Sequence, residues 1–87
     1  TELALLLRAE SLLLRNDANG ALGELKPLTH EGPHGPKAAA LAGRCLTALG
    51  LPQEAFRVFN ASLAGDPNQV DAHRGLAALN YDLGVLP

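Results

Sequence analysis

Apolar residues recur every three to four positions along most of the chain, which is the spacing that places them on one side of an α-helix. Leu5, Ala9 and Leu12 show this spacing near the start. Val, Ile and Thr are scarce, and long alternations of apolar and polar residues are absent. The pattern therefore predicts an all-α chain.

Turn-forming residues divide this pattern into five predicted helices. Asp17 or Asn19 can cap the N-terminus of the second helix, and Pro36 suits the first turn of the third. Gly50 is expected to end the third helix, and Pro52 to begin the fourth. The predicted helices cover residues 3–15, 20–29, 36–50, 52–64 and 67–84.

The fifth helix has the clearest predicted start. Asp66 is expected to be its N-cap, with Pro67 in the first turn and Gln69 completing a capping box. We expect this helix to end at Gly84, as glycine accepts the left-handed conformation that often closes a helix.

The chain also repeats itself after a shift of 34 residues, without a gap. Asn16, Gly50 and Gly84 fall on one another at predicted helix ends, where a left-handed backbone is tolerated. Other positions that coincide are Ala9, Gly43 and Ala77, Leu12 and Leu46, Ala21 and Ala55, Leu25 and Phe59, and Pro33 and Pro67.

The best-preserved unit is PKAAALAGRCLTALGLPQEAFRVFNASLAGDPNQ, which contains the pattern A-x3-F at Ala55 and Phe59, followed by Asp-Pro. In period and pattern the chain resembles the tetratricopeptide repeat (TPR) family, although Ala39 and Leu46 stand where that family has large residues. The resemblance implies a right-handed α-solenoid fragment of five helices in antiparallel pairs. It also implies a single domain, residues 1–87, with repeat one at residues 2–35, repeat two at 36–69, and a half repeat or terminal helix at 70–87.

The resemblance also implies a function, because the first helix of each TPR lines a concave groove. We expect a non-enzymatic interaction module, without a cofactor, that binds a peptide or helix of a protein partner in this groove. Leu6 and Leu13 would be apolar anchors, and Arg44 and Arg74 would orient a carboxylate. The candidate groove residues are Leu6, Glu10, Leu13, Lys37, Arg44, Arg74 and Tyr81.

The first helix has more leucines than one neighbouring helix can cover. Its apolar arc is about 220° wide, against the roughly 100° stripe of a typical surface helix. Leu3, Leu6, Leu13 and Leu14 lie on its second face, which predicts partner binding, self-association or cover by a neighbouring repeat. The alternative function is therefore a structural or oligomerisation segment of a larger protein, an enzyme included.

Other function classes find little support in the composition. The net charge is −2 with no basic cluster, which disfavours nucleic-acid binding, and no apolar run is long enough to span a bilayer. His30 and His34 are separated by glycine and proline, so we interpret them as part of a polar turn rather than a metal site. Cys45 is expected to be a small core residue. No motif for catalysis is recognisable, and the compartment is not indicated.

Overall fold

Residues 2–28 and 34–82 are described by a computed structural model, and in this part of the chain it contains helices and turns but no strand. The prediction of an all-helical chain with five α-helices is confirmed for these residues. A short 3₁₀ helix follows the second of them. The elements are α1 (Glu2–Leu14), α2 (Ala18–Leu25), the 3₁₀ helix (Lys26–Leu28), α3 (Gly35–Ala48), α4 (Pro52–Gly65) and α5 (Val70–Asp82).

Helices α1 and α3 end in the same kind of turn. Asn16 has a φ of 65° and Gly50 a φ of 78°, so the predicted left-handed conformation is confirmed at both positions. Gly84 lies outside the described residues. In each turn the amide of the following residue donates to a carbonyl in the last turn of the helix: Asp17 to Leu12 and Leu51 to Leu46, both at 2.9 Å.

The second helix begins earlier than predicted, at Ala18, because Asp17 is its N-cap. The Asp17 carboxylate accepts a hydrogen bond from the amide of Gly20 at 2.9 Å. The α-helix ends at Leu25, and the chain continues as the 3₁₀ helix that contains Pro27. Since proline lacks an amide hydrogen, it cannot continue the α-helical hydrogen bonding, and a tighter turn replaces it.

The predicted start of the fifth helix is wrong. Helix α5 begins at Val70, and Pro67 lies in the preceding turn. The Asp66 carboxylate accepts from the amide of Asn68 at 3.1 Å, and the amide of Gln69 donates to the Asp66 carbonyl at 3.0 Å. Asp66 thus stabilises the turn between two helices and forms no capping box.

The core consists of two apolar clusters that share α3. The first lies between α1, α2 and α3 and includes Leu25, Leu41 and Cys45. The second lies between α3, α4 and α5, with Phe59 as its largest buried side chain and Leu79 beside it. Consecutive helices contact one another, and α3 also contacts α1 and α5. The chain measures 41 × 27 × 17 Å, so it is clearly elongated.

Burial repeats along the chain with the same interval as the sequence. Among the described residues, seven positions are buried in one helix and again 34 residues later, the separation that also joins the hydrogen-bonded side chains of Lys37 and Asp71. Other buried positions do not repeat: Ala40 and Gly43 are buried, whereas Arg74 and Ala77 are exposed. The buried pairs are Leu6 and Ala40, Ala9 and Gly43, Ala21 and Ala55, Leu25 and Phe59, Leu28 and Ser62, Ala38 and Ala72, and Cys45 and Leu79.

Candidate functional site

An open groove with a volume of about 490 Å³ lies between α3 and α5. Helix α3 supplies one wall, α5 supplies the other, and one side chain of α4 reaches between them. The lining residues are Arg44, Thr47, Ala48, Phe59, Asp71, Arg74, Gly75 and Ala78.

The floor of the groove is the ring of Phe59, which is fully buried. It fits between the two walls because glycines face it from both sides. A β-carbon on Gly43 would lie 2.6 Å from Cε1 of the ring, and one on Gly75 would come still closer. The two helices therefore pack their backbones directly on the ring, which leaves the floor little room to move.

Lys37 joins three helices at one end of the groove. Its Nζ donates to Oδ2 of Asp71 on α5 at 2.9 Å and lies 3.2 Å from Oε1 of Glu10 on α1. All three side chains are partly exposed, so each ion pair contributes modestly to stability. Their geometric effect is to connect α1, α3 and α5 along the side that carries the groove.

The same contacts alter the protonation equilibria of the pair. The hydrogen bond from Lys37 lowers the pKa of Asp71; burial opposes this, and the charges of Lys37, Arg44 and Arg74 add to it. The hydrogen bond to Asp71 raises the pKa of Lys37 against the effect of burial, with Glu10 assisting. Both groups are therefore charged at neutral pH.

Arg44 and Arg74 face the groove from opposite walls and are exposed. Neither takes part in a salt bridge with a described residue, whereas the carboxylate of Asp71 is held by Lys37. The two guanidinium groups thus keep hydrogen-bond donors for an incoming acceptor. Planar guanidinium groups suit carboxylates, to which they can donate two parallel hydrogen bonds.

The structure brings together part of the predicted site. Arg44 and Arg74 line one groove, and Glu10 and Lys37 form the ion-pair network at its end. The side chain of Tyr81 lies outside what the structure describes.

The leucines predicted as anchors pack in or against the core. Leu6 is only 4% exposed, belongs to the first core cluster and is not among the residues that line the groove. Leu13 is partly buried and packs against the same cluster. The physical reason is that α1 contacts both α2 and α3, which together cover a wider arc than one helix can.

Sequence reasoning missed the Lys37–Asp71 ion pair and the Phe59 floor. The ion pair had a readable signal, because opposite charges stand 34 residues apart at equivalent places of the repeat. Helices that stack in register bring such positions side by side. The role of Phe59 as the floor had no comparable signal, since it depends on the glycines that face it in space.

Other sequence features have simple structural roles. Cys45 is fully buried as predicted, and burial raises the pKa of its thiol, partly offset by the charge of Arg44. His34 precedes α3, and His30 lies outside the described residues. Among the described residues no cluster of acidic, histidine or cysteine side chains could hold a metal ion. No helix within those residues is long and apolar enough to cross a membrane.

Comparisons with known proteins leave the site to be interpreted from its own chemistry. No protein-family model, curated protein or solved structure matches the chain.

Proposed function

We propose that the chain is a TPR-like interaction module that binds an acidic segment of a protein partner in the groove between α3 and α5. In this proposal residues 2–35 and 36–69 are stacked helix pairs of a right-handed α-solenoid, and residues 70–87 begin a third unit. Three features support the stacked arrangement: the buried positions that recur after 34 residues, the matching turns at Asn16 and Gly50, and contacts confined mainly to neighbouring helices.

The observation that carries the proposal is the pair of arginines on opposite walls of one groove, neither of which forms a salt bridge with a described residue. A peptide carboxylate between Arg44 and Arg74 would receive charge-assisted hydrogen bonds from both helices. Ala78, which is exposed, would contact apolar atoms next to that carboxylate, above the buried ring of Phe59. The volume of about 490 Å³ lies in the range of binding sites for small ligands, which is enough for a few side chains of a peptide.

The groove favours binding over catalysis. Asp71 is the carboxylate among the lining residues, and its lowered pKa makes it a poor proton acceptor near neutral pH. Its hydrogen bond to Lys37 further occupies the group. Thr47 donates its hydroxyl to the Gly43 carbonyl at 2.9 Å, so it is not poised as a nucleophile. We therefore propose a module without enzymatic activity of its own.

A peptide-binding measurement tests this function. A library of peptides with a fixed central glutamate is selected on the intact chain, and the best binder is titrated by fluorescence anisotropy. Arg44→Glu and Arg74→Glu should each weaken binding by about tenfold or more, since about 1.4 kcal/mol corresponds to tenfold. Arg57→Glu is the matched control, because Arg57 is exposed on α4 and does not line the groove. Equal affinities of all three variants and the parent would refute the proposal.

An exposed apolar stripe supports a second candidate function, that of an oligomerisation or structural segment. Leu3, Leu7 and Leu14 of α1 are 56%, 59% and 80% exposed. Exposed apolar side chains that cluster on one face of a helix commonly mark a contact surface. This function does not use the groove, so the two candidates can be tested separately.

A further inference from the structure

A second pocket lies on a different side of α3, facing α2 and α4 rather than α5. Its volume is about 280 Å³, and most of its surface is apolar. The residues that line it are Leu22, Gly35, Pro36, Ala39, Ala42, Leu46, Val58, Ala61 and Gly65.

The pocket exists because small residues on α3 and α4 face one another while the helices are held at a fixed distance. Ala39 on α3 and Ala61 on α4 leave the space between the helices unfilled. At one end the helices touch: a β-carbon on Gly65 would lie 2.9 Å from Cγ of Pro36. The hydroxyl of Ser62, which is fully buried, donates to the Pro36 carbonyl and fixes this contact. The walls therefore cannot simply close on the space.

The lining restricts the chemistry of an occupant. No lining residue carries a charged side chain. The Pro36 carbonyl already accepts from Ser62, and among the described residues no buried side-chain nitrogen or oxygen lacks a partner. Water needs two or more polar partners, so it gains little in such a pocket. A charged or strongly polar ligand would lose its hydration without replacement hydrogen bonds.

The volume sets the size of the occupant. An apolar cavity of about 150 Å³ is enough to bind benzene, whereas pockets for drug-sized ligands begin at roughly 300 Å³. A pocket of about 280 Å³ lies between these limits. It has room for one substituted ring or two fused rings.

We infer that this pocket is a binding site for a small, neutral, apolar molecule of one or two rings. The inference is independent of the proposed peptide groove, because the two sites share no lining residue.

Titration with indole, followed by amide chemical shifts in NMR spectra of the intact chain, tests the inference. The parent should show saturable shifts centred on Ala39, Ala42 and Ala61. Ala39→Leu and Ala61→Leu fill the pocket from opposite walls, so each should lose the saturable shifts. Each should also raise the melting temperature or leave it unchanged, since the added methyl groups enter an apolar pocket that is open to solvent at the exposed Ala61.

Two variants serve as controls. Ala64→Leu adds the same side chain at an exposed position of α4 that does not line the pocket, and Arg44→Glu changes only the groove. Both should bind indole as the parent does. If Ala39→Leu fails to fold, Ala61→Leu decides the outcome. The inference is overturned if the parent shows no saturable shift, or if both filled variants bind indole with the affinity of Ala64→Leu.

Discussion

The ring of Phe59 occupies the space that a side chain at residue 75 would need, so Gly75 is in direct contact with it through its backbone. The ring cannot withdraw, because Gly43 faces it from the other wall and a β-carbon there would lie 2.6 Å from Cε1. The ring is both the largest buried side chain of the second core cluster and the floor of the groove. Stability and the shape of the groove therefore depend on the same contact.

Gly75→Ala should destabilise the fold although alanine is the better helix former. The added methyl group would collide with the Phe59 ring, and overpacking of this kind costs about 1–3 kcal/mol. Gly23→Ala is the matched control, since a β-carbon on this glycine of α2 meets no atom within 4 Å. It should stabilise the chain by about 0.4–1 kcal/mol through the unfolded state. Urea denaturation followed by circular dichroism measures both changes, and the same sign for the two would contradict this account.

Replacing Phe59 with a smaller side chain should remove most of the collision between its ring and a methyl group at residue 75. Phe59→Ala deletes a fully buried ring and should cost about 3–5 kcal/mol, which a chain of this size can hardly tolerate. Phe59→Leu should cost less stability than Phe59→Ala. Gly75→Ala should then destabilise the Phe59→Leu variant less than it destabilises the parent. A double-mutant cycle measures the difference. Additive costs would show that the glycine and the ring do not interact as the geometry indicates.

The sequence predicted what depends on local chemistry and missed what depends on which neighbour covers a residue. Proline at 36 and 52 and the Asp17 cap place the helix starts well, because caps and first turns are local devices. Asp66 fits a helix cap and a turn equally well in sequence, and the structure uses it in the turn. Leu6 and Leu7 are adjacent leucines, yet one is buried and the other exposed. Periodicity gives the faces of α1, but the positions of α2 and α3 determine which of them are covered.

The ion pairs of Lys37 predict a pH window for part of the stability. Asp71 has a lowered pKa in the folded chain. Its contribution to stability is therefore present above its ordinary pKa of 3.8 and is lost as the pH falls through its pKa in the folded chain. Lys37 has a raised pKa, so its contribution is full below 10.5 and is lost as the pH rises through the folded value. Lys37→Met should therefore reduce the free energy of unfolding by about 0.2–1 kcal/mol per ion pair between those limits.

Denaturation series at several pH values compare this variant with the parent. The difference should be constant from about pH 5 to pH 9 and should shrink toward both extremes. Arg57→Met is the control, because Arg57 is exposed on α4 and forms no salt bridge with a described residue. A difference that persists unchanged below pH 3 would mean that Lys37 does not stabilise the fold through its ion pair with Asp71.

Removing the charge of Asp71 should separate stability from binding. Asp71→Asn ends the attraction to Lys37 and should lower stability slightly, while it removes the negative charge of Asp71 that acts on Arg44 and Arg74. An acidic peptide should then bind more tightly, since two charges about 4 Å apart interact by about 1 kcal/mol in water. Anisotropy titrations with the peptide from the library measure the change. Weaker binding would indicate that Asp71 itself contacts the ligand.

The exposed leucines of α1 predict self-association. Leu3, Leu7 and Leu14 fall within an arc of about 40° at the helical period. Leu41, which is the equivalent of Leu7 on α3 after the shift of 34 residues, is fully buried in the first core cluster. The face of α3 that contains Leu41 is thus covered by other helices, whereas the equivalent face of α1 is exposed. A second copy of the chain offers the same apolar stripe, so the two stripes can form a two-fold contact.

Sedimentation velocity at rising protein concentration should show a monomer in exchange with a dimer. Leu7→Lys/Leu14→Lys should shift the chain to the monomer with little loss of stability, because both side chains are exposed and lysine at Leu14 suits the end of α1. Phe56→Lys/Val70→Lys is the control, since it adds the same charges at exposed apolar positions of α4 and α5. A parent that stays monomeric refutes the contact on α1. If only the control disrupts the dimer, the contact lies on α4 and α5. Phe56 on α4 is exposed there, whereas Leu22, its equivalent on α2, packs against both core clusters.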